Sequence, residues 1–123
     1  MEEIIWFKKE SLGNPGKSCD VTVTTQKDNK VRIIIRNGFA DEIAPTEYMR
    51  IGLSPNDKNR LYFMAANDKT GWKLSKTANS ESINKGVLIG GEKAGHALRR
   101  FDGDYNLEIS EDNIFFIDRR NVI

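Results

Sequence analysis

The stretch CDVTVTTQKDNKVRIIIR, residues 19–36, decides the fold. Cys19, Val21 and Val23 alternate with Asp20, Thr22 and Thr24, and Val31, Ile33 and Ile35 alternate with Arg32, Ile34 and Arg36. A period of two puts one set on the buried face of a strand and the other on its wet face. The residues QKDN between the two runs carry turn chemistry. The stretch therefore reads as an antiparallel hairpin.

The same period continues outward. After a loop with Gly38 and Pro45, YMRIGLS sends Met49, Ile51 and Leu53 to one side, and SPNDKN follows as a turn. RLYFMAANDKTGWKLSK, residues 60–76, reads as a second hairpin, with Leu61, Phe63 and Ala65 on the inner phase of one strand and Trp72 and Leu74 on the matching phase of its partner. On that reading Tyr62 is the one ring left free. TANSESINK, residues 77–85, is polar and reads as a loop, and VLIG as a short buried strand. In EKAGHALRRF, Ala94, Ala97, Leu98 and Phe101 fall at i, i+3, i+4 and i+7, the stripe of one short helix over about 92–101, although Gly95 weakens it. At the end, Tyr105, Leu107 and Ile109 alternate with Asp104, Asn106 and Glu108 before the turn SEDN and the buried run IFFI. The 123 residues contain no linker or repeat, so residues 1–123 are expected to form a single β-rich α+β domain, mainly an antiparallel sheet or small barrel built from hairpins, with one helix packed on it.

Nineteen Lys and Arg against eighteen Asp and Glu leave a formal net charge of +1, so any polyanion site must be a local patch. The single cysteine, Cys19, excludes an internal disulfide and fits a reducing cytoplasm. The start MEEIIWFKKE is acidic before a short apolar run, unlike a signal peptide, and no apolar run has the length of a membrane span. The expected setting is cytoplasmic, away from membranes.

Catalytic chemistry has little to work with. His96 is the only histidine, and on the helix it lies opposite the apolar stripe, three and four residues before Arg99 and Arg100. Cys19 sits on the apolar phase of its strand, where thiols are inert packing, and no serine stands in a nucleophile elbow. DGDYNLE places Asp102, Asp104, Asn106 and Glu108 at alternate positions like the start of a calcium loop, but Leu107 stands where glycine is needed and Asn113 where a closing glutamate is needed. These four read instead as the wet side of a strand. No metal and no cofactor is expected. Gly90 and Gly91 lie between strand and helix, where bare N–H groups could hold a small anion, although neither dinucleotide nor P-loop spacing is present.

Cations fall into clusters: Arg32 with Arg36 on one strand face, Arg60, Lys73 and Lys76 around Tyr62, and Arg99 with Arg100 on the helix. Together they are the candidate nucleic-acid face, with Tyr62 as its stacking ring. Nearby acids, among them Asp68, Glu92 and Asp118, would cancel much of its field.

The combination of YMRIGLS, NRLYFMAA, GWKLSK, GDYNLEIS and NIFFID, over about residues 48–118, resembles small accessory proteins encoded by bacteriophages and prophages of Gram-positive bacteria. The resemblance carries no catalytic residue across. It implies a cytosolic, non-enzymatic protein that works by binding a host or phage macromolecule, for instance as an inhibitor of a host protein or defence system. A nucleic-acid-binding protein using the cations above is the alternative.

Overall fold

The computed structural model describes residues 19–67, 70–76, 84–111 and 113–123. Among them, ten strands form two five-stranded sheets in which every pairing is antiparallel. β1 (Val21–Gln26) and β2 (Lys30–Ile35) make the expected hairpin, in register from Val21↔Ile35 to Gln26↔Lys30. Asp28 and Asn29 take φ of 62° and 57°, a left-handed conformation that these two residue types tolerate, and Lys30 N–H closes the turn on the Lys27 carbonyl at 3.3 Å.

With β6 (Ser75–Lys76), β7 (Lys85–Ile89) and β8 (Gly103–Tyr105), the hairpin completes a first sheet in the order β6-β7-β2-β1-β8. The second sheet takes β3 (Tyr48–Leu53), β4 (Arg60–Ala65), β5 (Trp72–Lys73), β9 (Glu108–Glu111) and β10 (Ile114–Asp118) in the order β5-β3-β4-β10-β9. The inner faces meet in one core. Val21, Val23, Ile33 and Ile35 from the first sheet and Met49, Leu61, Phe63 and Ile117 from the second are all at most 1% exposed. Each such side chain is worth about 1.5–3 kcal/mol of burial.

The chain passes from the first sheet to the second through the segment between β2 and β3, and changes sheets again at two tight corners. Leu74 separates β5 from β6; its side chain is buried and its N–H donates to the Glu47 carbonyl at 2.8 Å. Asn106 and Leu107 separate β8 from β9, and Leu107 N–H donates to Asp20 Oδ2 at 2.9 Å. Corners of this kind join two packed sheets covalently. Their ladders do not close into a barrel.

The expected second hairpin over residues 60–76 does not form. β4 already has β3 on one side, and on the other β10 pairs along its whole length, from Ile114↔Met64 to Asp118↔Arg60. β5 therefore adds to the far edge of β3, as Tyr48↔Lys73 and Met49↔Trp72. An edge strand cannot bury its whole inner side, and Trp72 is 38% exposed rather than in the core. In VLIG, Leu88 falls on the outer face of β7 between buried Val87 and Ile89 and is 49% exposed, and Ile109 is 72% exposed because the corner at Asn106–Leu107 and an irregularity at Ile114/Phe115 interrupt the alternation. Leu53, at the end of β3, is also exposed. The polar loop expected over 77–85 falls outside the described residues up to position 83, and β7 begins at Lys85.

Two helices are present among the described residues. α1 (Phe39–Ile43), a single turn too short to show a period in sequence, buries Ala40 and Ile43 in the loop before β3. α2 (Glu92–Leu98) continues into a 3-10 turn, Arg99–Phe101, matching the expected span. Its stripe docks as the spacing requires, with Leu98 5% and Phe101 0% exposed. Gly95 is no weakness here. A Cβ at this position would collide with the Asn29 carbonyl oxygen, so its absence lets α2 lie against the β1–β2 turn.

Two substitutions test the docking. In a free helix Gly95→Ala would add up to about 1 kcal/mol of propensity; here overpacking against Asn29 is expected to reverse the sign and destabilise by about 1–3 kcal/mol. Leu98→Ala should cost about 2–5 kcal/mol. Urea unfolding of both variants checks this, and a stabilised Gly95→Ala protein would mean that α2 does not press on the turn.

Candidate functional site

The corner at Leu74 builds a groove. Just before it, β5 contributes Trp72 and Lys73 from the second sheet; just after it, β6 contributes Ser75 and Lys76 to the first. The other wall is the outer surface of the first sheet, where Arg32 on β2 stands opposite Leu88 on β7. Between them, Gly86 pairs with Ile34 and places no side chain on that surface. A Cβ there would sit 3.2 Å from the Ile33 carbonyl oxygen. Glycine within a strand often marks a close approach, and here it opens the floor of a hollow of about 350 Å³.

Among the described residues no acid offsets the charge in this groove. Its lining contains, among the described residues, Arg32, Lys73 and Lys76 and no carboxylate. None of the three forms an ion pair among the described residues. Lys85, which faces Lys76 across the β6–β7 ladder, is by contrast paired with Asp41 at 2.8 Å.

The remaining candidate cations do not join the groove. Arg60 pairs with Asp118 at 3.3 Å and Asp57 at 3.5 Å, and its guanidinium lies 4.4 Å above the Phe116 ring. Tyr62 packs against Phe116, with ring centroids 5.6 Å apart, and lines a different hollow on the second sheet with Arg50, Met64 and Ile114. Tyr62 and Arg60 are thus separated from Lys73 and Lys76, contrary to the expected cluster, because β5 is not the partner of β4. Arg36 Nε donates to Thr22 Oγ1 at 3.3 Å, and Thr22 donates in turn to Asp104. Arg99 and Arg100 are exposed in the 3-10 turn after α2, where Arg100 borders a separate hollow with Lys58 and Pro55.

The acidic run also has structural roles. Asp102 Oδ2 accepts from Thr25 N–H at 2.7 Å, Asp104 accepts from Thr22, and Glu108 accepts from Asn121, so these carboxylates tie β1 and the C-terminal segment to their neighbours. Among the described residues no group of three or more His, Cys, Asp or Glu could hold a metal ion. Cys19 is buried with its Sγ 3.4 Å from Thr22 Oγ1, and His96 is exposed on α2. Gly90 and Gly91 form the expected tight link between β7 and α2; Gly91 takes φ of 108°, and its carbonyl accepts from Gly95 N–H. No described helix is long and apolar enough to cross a membrane.

The sequence divides Arg32 from Lys73 and Lys76 between two clusters, its alternation puts Trp72 in the core rather than on a stacking surface, and it does not mark Gly86 or Leu88 as lining. Two signals were available: the indole of GWKLSK stands directly beside a lysine, and Gly86 precedes an apolar strand run. Neither protein-family models, nor curated proteins, nor solved structures provide a match to this chain. The class is thus defined by the structure alone: a β-rich α+β domain of two packed antiparallel sheets.

Away from the groove, the ion network at the end of β10 anchors the C-terminal segment. Asp118 is 4% exposed and accepts from Arg120 Nε, the Arg120 NH2 group, Arg120 N–H and Arg60 Nε. The Arg120 guanidinium, helped by the Arg120 N–H and by Arg60, holds the Asp118 carboxyl well below the usual carboxylate range, against the opposing effect of burial. A depressed carboxylate stabilises the fold fully above its unfolded value of about 4, and that stability is lost as pH falls toward the folded value. Asp118→Asn should therefore melt lower than wild type at pH 7, with the gap narrowing as pH falls below about 4. A gap that persists undiminished at pH 2 would show that the charge of Asp118 is not what matters.

Proposed function

We propose that this chain is a non-enzymatic binding module that acts by engaging a negatively charged macromolecule through the groove at the Leu74 corner. The observation that carries the reading is the gathering of Arg32, Lys73 and Lys76 around one hollow whose lining, among the described residues, holds no carboxylate. Some cations outside the groove are paired internally, as with Arg60, Arg120 and Lys85, while others such as Lys58, Arg99 and Arg100 are not gathered around this hollow. Three unneutralised charges set close together create a local attractive field that the near-zero net charge of the chain conceals.

The settings of the single cysteine and the single histidine favour binding over turnover: Cys19 is buried and His96 is exposed on α2. General acid–base and nucleophilic chemistry require an activated neighbour, and the partner that the structure gives the Cys19 thiol is a threonine hydroxyl. The resemblance to phage accessory proteins points the same way: it would make the module an agent that occupies a component of the host cell or of the phage, in the cytoplasm.

Retention on an immobilised sulfated polysaccharide tests the reading without presuming the partner. The variant Arg32→Ser/Lys73→Ser/Lys76→Ser should elute at clearly lower salt than wild type. A variant of equal charge loss outside the groove, Lys58→Ser/Arg99→Ser/Arg100→Ser, should elute close to wild type. Equal losses in the two variants would mean that only net charge is being read, and the groove would lose its role.

A further inference from the structure

We infer that the groove takes single-stranded nucleic acid, with one base stacked on Trp72 and neighbouring phosphates on Arg32, Lys73 and Lys76. The inference rests on the proposed polyanion groove and adds to it the chemistry of the occupant. Three features separate a nucleic-acid strand from an acidic protein segment. Trp72 is a large aromatic residue held at a sheet edge with 38% of its surface exposed, beside the cations rather than apart from them. An acidic peptide needs the cations but not the ring, whereas a nucleotide offers an anion and a flat apolar face within one unit. The floor is smoothed by Gly86, and Leu88, 49% exposed, supplies further apolar surface against which a base or sugar can rest.

The size of the site selects an unpaired strand. A hollow of about 350 Å³ accommodates roughly one nucleotide, at the small end of ligand sites. Stacking on Trp72 also requires a base face that a duplex keeps covered. The sheet-to-sheet corner holds the backbone that carries the ring, since β5 pairs with β3 on one side of Leu74 and β6 pairs with β7 on the other, and Trp72 also borders an apolar hollow with Leu53, Ala94 and Leu98. Few phosphates are contacted, so binding is expected to be modest in strength and moderate in salt dependence.

Fluorescence anisotropy with a labelled twelve-nucleotide oligo-dT, run across a salt series, is the test; a labelled polyglutamate peptide and a duplex of equal length are run beside it. Wild type should bind oligo-dT better than either competitor, with log affinity falling against log salt at a slope of about −2, the value for three phosphate contacts on a single strand. Trp72→Ala should weaken oligo-dT binding about tenfold, with Trp72→Phe restoring most of it, while polyglutamate binding is unmoved by either change. Thermal melts of both variants establish that they fold, and the phenylalanine variant keeps the test decisive if Trp72→Ala does not. Oligo-dT binding that depends on the three cations but not on Trp72, or preferential binding of polyglutamate or duplex, would overturn the stacking inference and leave the polyanion groove standing. If no probe binds at low salt, the groove reading and this inference fall together.

Discussion

The structure depends on one demand: two five-stranded sheets must bury their inner faces against each other. Val21, Val23, Ile33 and Ile35 on one side and Met49, Leu61, Phe63 and Ile117 on the other are removed from water together. Burial of this kind is the main favourable term in folding. It leaves the chain little choice of path, because a strand that leaves one sheet must enter the other without opening the core. Leu74 and Leu107 stand at these crossings, each with its backbone N–H satisfied by a partner outside its own strand, Glu47 in one case and Asp20 in the other.

The candidate site is a by-product of this path. An edge strand that changes sheets cannot keep its alternation in register with a single surface, so residues from both sides of the bend come to face one hollow. Trp72 and Lys73 belong to the second sheet by pairing, Lys76 to the first, and Arg32 lies two strands further in. Edge strands invite unwanted pairing, and lysines on them discourage it. Lys73 and Lys76 fit that protective role as well as the binding role, so a single pair of charges can serve both solubility and recognition.

Pairing of charge, rather than its amount, distinguishes the surfaces of this molecule. Arg60 and Arg120 are close to Asp57 and Asp118, where they fasten the C-terminal segment to β4 and the turn before it. These cations are structural despite their place in the sequence beside aromatic residues. Arg36 is engaged by Thr22. Of the cations singled out as a nucleic-acid face, only Arg32, Lys73 and Lys76 meet at the groove.

Much of this was written in local sequence. The β1–β2 hairpin follows from a period of two around a turn that Asp28 and Asn29 can adopt, and the docking of α2 follows from the spacing of Leu98 and Phe101. These features are local because their partners lie a few residues away along the chain. Strand order is different: which edge of which strand accepts β5 was decided by β10, some forty residues later, whose claim on β4 left β3 as the open neighbour. Alternation gives each residue a side of its own strand but not a depth in the sheet, so it placed Trp72 inside when the edge leaves it exposed. The same limit hid the meaning of Gly95, whose missing Cβ is required by Asn29, a residue distant in sequence and adjacent in space. The sequence by itself determined a β-rich domain with one docked helix. The tertiary structure alone decided which cations meet, because convergence is set by long-range pairing that no local period encodes.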